Sequence, residues 1–137
     1  MNEPASPARL YATVVGALLV IGGIVGFFYS ASFGSPGEVE EVFGLFAVNA
    51  WDNVFHVLAG ALGLLVAGYA ARWYALWLGA LYLAVAIWGF AIGSGESILG
   101  FLPVDTADNV LHTTLGVLGI LAALATLRPK AQPAPAT

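Results

Sequence analysis

Four stretches of this 137-residue chain carry no charged side chain: Leu10–Phe33, Asn53–Ala71, Trp73–Gly95 and Asn109–Leu127. They are 24, 19, 23 and 19 residues long. A helix needs about 20 apolar residues to cross the hydrocarbon core of a bilayer. Each stretch is long enough, and each is continuously apolar rather than alternating, which favours helices over barrel strands. Only 9% of the chain is charged and 60% is hydrophobic. A soluble domain carries roughly 25% charged residues, so composition excludes a soluble globule and a disordered chain. Cysteine is absent, which excludes a disulfide scaffold. The expected fold is all-α, an integral membrane four-helix bundle.

The basic residues set the expected orientation. Arg9 precedes the first stretch, Arg72 divides the second from the third, and Arg128 and Lys130 follow the fourth. With four spans all of them share one side, so both termini are expected in the cytoplasm. Seven of the eight acids (Glu38, Glu40, Glu41, Asp52, Glu96, Asp105, Asp108) fall on the other side; Glu3 is the exception. The first stretch is longer than the core of a cleaved signal, about 7–15 residues, and is expected to be kept. Residues 1–9 then form a cytoplasmic segment, 10–128 the membrane domain, and the Ala/Pro-rich 129–137 a disordered cytoplasmic tail.

The two halves match each other. Residues 11–29 agree with 74–92 at 8 of 19 positions, including Tyr11/Tyr74, Gly16/Gly79 and Gly26/Gly89. Residues 44–72 agree with 100–128 at 12 of 29, including Asp52/Asp108, Asn53/Asn109, His56/His112, Gly60/Gly116, Gly63/Gly119 and Arg72/Arg128. Apolar bias aligns some Leu, Ala and Gly, but not an Asp-Asn-x-x-His set in one register. The pattern reads as a duplicated hairpin, residues 10–72 and 73–128, giving parallel repeats about an axis along the membrane normal. In the first outer loop Val39, Val42, Phe43 and Phe46 have helical spacing, which predicts a short interfacial helix. Trp51 and Trp73 sit at span edges, where aromatic belts lie.

Polar residues open the second and fourth stretches. Asn49 and Asp105 have the position of N-caps, with Asp52 and Asp108 three residues later, as in a capping box. Asp52, His56, Gly60 and Gly63 follow steps of 4, 4 and 3 and share a helix face, as do Asp108, His112, Gly116 and Gly119. Small residues let membrane helices approach closely, so this is the packing face. Three chemistries fit the set Asp52, Asn53, His56, Asp108, Asn109 and His112. It is a hydrogen-bonded lock on helix register without any cofactor, or a divalent-metal site on His56, His112, Asp52 and Asp108. The third is a haem held by His56 and His112, or a proton relay. No phosphate loop, nucleophile elbow or zinc-protease motif is present, and nothing points to nucleic acid. The expected function is a non-enzymatic structural or accessory membrane module; the alternative is a metal- or haem-binding redox protein. The expected partner is the lipid bilayer, with a homo-oligomer or a larger membrane complex left open.

The paired motif, set in Leu45-Phe-Ala-Val-Asn49…His56-Val-Leu-Ala-Gly60 and Phe101-Leu-Pro-Val-Asp105-Thr-Ala-Asp108-Asn109…His112, resembles a bacterial family of small four-span membrane proteins, domain of unknown function 4383. The likeness runs over roughly residues 10–128. In that family the position of Asp52 is often histidine; aspartate here keeps a metal ligand but weakens a haem reading. The resemblance implies the topology and a bacterial cell membrane, and no activity.

Overall fold

Ser6 starts the first helix. Its hydroxyl accepts a hydrogen bond from the Arg9 N–H (3.2 Å), and Pro7 occupies the first helical position, where no backbone donor is needed. The computed structural model describes residues 5–33 and 39–126. In chain order they form α1 (Pro7–Tyr29), β1 (Glu40–Val42), β2 (Phe46–Val48), α2 (Ala50–Val66), α3 (Ala71–Ile92), β3 (Ser97–Ile98), β4 (Leu102–Pro103) and α4 (Thr106–Ala125). The fold is all-α, with two minor two-stranded ribbons. α1 begins before Arg9, which lies in its first turn. Arg128, Lys130, Glu3, Glu38 and the tail from 129 lie outside the described residues.

α1, α3 and α4 are long and apolar enough to cross a membrane. α2 has 17 residues, about 26 Å at 1.5 Å per residue, against a hydrocarbon core of about 30 Å. It begins before the charge-free stretch, at the Asn49 cap, and ends in the turn Ala67–Ala70, where Tyr69 and Ala70 both donate to the Val66 carbonyl. α1 pairs along α2, and α3 along α4. The pairs join through a core of Tyr11, Val15, Leu19, Tyr74, Leu78 and Tyr82. The outer surface is apolar: Leu18, Phe28, Leu65, Trp77 and Ile87 are all exposed. A surface of that kind suits lipid, not water.

The first outer loop corrects the sequence reading. Residues 40–48 form an antiparallel β-hairpin, not an interfacial helix, with Glu40 opposite Val48 and Val42 opposite Phe46. Phe43 (φ 55°) and Gly44 (φ 68°) adopt left-handed backbone, and the Leu45 N–H donates to the Val42 carbonyl (3.1 Å). Consecutive positive φ values match the twist of a tight hairpin and cannot continue a right-handed helix. Of the apolar residues spaced for a helix, Val42 and Phe46 are cross-strand partners and Phe43 sits in the turn. The second loop repeats the device, with Leu99 (φ 54°) and Gly100 (φ 79°) turning β3 into β4.

Candidate functional site

The caps of α2 and α4 do more than start helices. Asn49 Oδ1 accepts from the Asp52 N–H (3.0 Å), and its Nδ2 donates to the Phe101 carbonyl in the second half of the chain. Asp105 Oδ1 accepts from the Asp108 N–H (2.8 Å), and its Oδ2 accepts from the Ala47 N–H in the first half. Each cap therefore stitches its own hairpin to the other one. Burial opposes charge at Asp105. Hydrogen bonds from the Asp108 side chain and from the N–H groups of Ala47, Asp108 and Ala107 outweigh it and hold the Asp105 carboxyl below the usual carboxylate range.

One turn into each helix lie Asn53 and Asn109, 0% and 3% exposed. Asn53 packs where a side chain on Gly26 would sit, and its Nδ2 donates to the Ser30 carbonyl (2.9 Å). Asn109 fills the corresponding space over Gly89. A buried amide seated in a glycine gap fixes the register of its helix against the partner, because sliding would drive it into the neighbouring turn and, at Asn53, break the bond to Ser30.

The histidines lie a turn deeper. Their rings converge, with centroids 6.3 Å apart. His56 Nδ1 stands 3.4 Å from Asp52 Oδ2. His112 has a different setting: it stacks on Tyr82 at 4.8 Å and 18°, and its buried Nδ1 has no hydrogen-bond partner. Its own Asp108 is engaged with Asp105. The two imidazoles thus converge, with Asp52 beside His56. Among the described residues no three His, Asp or Glu side chains are grouped so as to hold a metal ion.

The glycine face below is packed backbone to backbone. A Cβ on Gly60 would meet the Gly16 carbonyl of α1, and one on Gly116 would meet Leu83 and the Gly79 carbonyl of α3. Gly63 and Gly119 each receive a tyrosine ring from the other half. The Tyr74 hydroxyl donates to the Ala59 carbonyl (2.9 Å), and Tyr11 to the Leu115 carbonyl (2.8 Å). Sequence reasoning gave these tyrosines, and Tyr82, no part in the site. The signal was there for two of them, since Tyr11 and Tyr74 match in repeat register. Tyr82 faces Leu19 in that register, so nothing marked it.

Fold and site together define an all-helical bundle with membrane-length apolar helices and a polar cluster at one end. The chain belongs to the family described as "Domain of unknown function (DUF4383)", whose model matches residues 9–125. No curated protein and no solved structure matches it.

Proposed function

We propose that this is a bacterial multi-pass cell-membrane protein with four spans, both termini cytoplasmic, built from a duplicated hairpin. Its activity is non-enzymatic: it is a structural or accessory module whose outer-side Asp/Asn/His cluster locks helix packing. One observation carries the reading. The two caps, Asn49 and Asp105, reach across to backbone groups of the opposite half, so the polar atoms are used to hold the halves together. α2 is short for a span, but its continuation through the Ala67–Ala70 turn and local thinning of the bilayer around a short helix are compatible with crossing. Arg9 and Arg72 both lie in first turns, of α1 and α3, which meet at the end opposite the cluster.

The lock is tested with Asn49→Ala. Loss of a cap and of the cross-hairpin bond should cost about 1–3 kcal/mol, read as a lower unfolding temperature in detergent, while the protein stays colourless. Unchanged stability, or stoichiometric metal or a haem spectrum in the purified protein, overturns it. Orientation is tested by introducing Ser35→Cys and Gln132→Cys into this Cys-free chain. An impermeant thiol reagent applied to whole cells should label the first and spare the second; the reverse pattern refutes cytoplasmic termini.

A further inference from the structure

α2 and α3 are joined by a four-residue turn, Ala67–Ala70, and meet where Tyr74 seats on Gly63 and bonds to the Ala59 carbonyl. Between them runs a continuous groove. Its inner half, about 570 Å³, is walled by Leu62, Trp73 and Trp77; its outer half, about 380 Å³, reaches His56, His112 and Tyr82. Ala59, Leu78 and Leu81 line both halves. The matched seam between α4 and α1 is more closely packed, and the residue in register with Ala59 is the bulkier Leu115; both pack against the core. The groove is therefore a consequence of particular side chains and not of the bundle geometry.

Its lining specifies an occupant. No lysine or arginine lines the outer half, where Asp52 stands, and Arg72 lies over Trp73 at the inner mouth, so beside the histidines a phosphate-bearing head is disfavoured and an uncharged one suits the site. Phe55, Tyr82, Trp88 and Phe101 surround the outer half, which favours a flat ring over a branched polar head. His112 lines the outer half beside His56; its Nδ1 is sealed within the bundle, so a carbonyl oxygen seated against the ring would bond through an Nε2–H. From His56 to Val66 the apolar wall runs about 15 Å at 1.5 Å per residue, one leaflet of a core about 30 Å thick. We propose that the α2–α3 groove binds a membrane quinone, its carbonyl-bearing ring between His112 and the outer aromatic side chains and its isoprenoid tail along Leu62, Trp73 and Trp77.

The inference rests on the membrane reading above. The test uses the full chain in nanodiscs and menaquinone-4 as probe, followed by quenching of the groove tryptophans. Saturable quenching is expected. Ala59→Leu, which installs the residue of the closed seam, should weaken binding at least about tenfold. Leu62→Trp, at a half-exposed position with no packing duty, should do the same and serves if the first variant misfolds. Quenching that does not saturate, or that is unchanged in a folded variant, overturns the proposal. So does displacement of menaquinone-4 by equimolar palmitoylglycerol or phosphatidylglycerol, which would mean a general acyl-chain groove. Absence of binding in a protein that fractionates with membranes defeats the quinone site alone; recovery of the chain in the soluble fraction defeats the reading beneath it.

Discussion

The two seams between hairpins are built on matched positions and have opposite outcomes. Along α1 and α4 the Ala8 N–H donates to Thr126 Oγ1 (3.0 Å), Tyr11 reaches Leu115, and the helices close. Along α2 and α3 the partner of Thr126 in register is Ala70, which has no hydroxyl; that of Leu115 is Ala59. The tyrosine bond survives there, from Tyr74 to Ala59, but the latch and the filler are gone. In exchange α3 carries Trp73, Trp77, Trp88 and Tyr82 where α1 has Leu10, Val14, Val25 and Leu19. A shared backbone plan thus tolerates a seal on one side and an aromatic-walled groove on the other, decided by a few side chains.

The sharpest way to break the comparison is to wedge each hairpin. Gly60→Leu drives a side chain into the Gly16 carbonyl, which cannot move without its helix, whereas Gly116→Leu first meets the flexible end of Leu83. Overpacking costs about 1–3 kcal/mol and sometimes more. Gly60→Leu should exceed that range and Gly116→Leu fall within it, measured by thermal unfolding in detergent, with Ala70→Leu at the turn as the mild control. Equal losses in all three would remove the close-approach argument. A smaller effect is expected from Thr126→Ala, which gives the closed seam the residue of the open one. Loss of one hydrogen bond should cost about 1 kcal/mol, and faster hydrogen exchange should appear in the first turn of α1, leaving α3 unchanged.

The smallest effect concerns acid. Asp105 titrates and its counterpart Asn49 does not. The Asp105 carboxyl is depressed in the folded state, so its stabilisation is complete above the unfolded value of about 3.9. It is lost as pH falls through the folded value. Unfolding temperatures followed from pH 6 downwards should show an acid limb that Asp105→Asn flattens. An identical limb in that variant would assign it to other groups.

Much of this was legible in the sequence. Charge-free runs gave the helices, because burying charge in hydrocarbon is costly enough to leave gaps between spans. Repeat register paired Gly16 with Gly79 and Gly26 with Gly89, and these are the places where backbones or asparagines press closest. The first loop was misread because Val39, Val42, Phe43 and Phe46 suit either period; the Phe43-Gly44 turn decides it, and only the glycine of that pair is a visible sign. The reach of Asn49 to Phe101 was hidden, since a cap looks the same whatever its other atoms touch. The groove was hidden too, because an alanine among apolar residues does not announce missing volume.

The bond between Ala8 and Thr126 brings the two ends of the described chain together. The helices accordingly form a closed circuit, in which α4 lies against α1 as α1 lies against α2. Opened instead at the Ala67–Ala70 turn, with the present ends bridged by a short linker, the same circuit reads α3, α4, α1, α2. The close hairpin partners stay consecutive in that order. Chain order and helix neighbourhood are separable in this molecule, and the sealed seam is the one that would then have to be spanned by covalent chain.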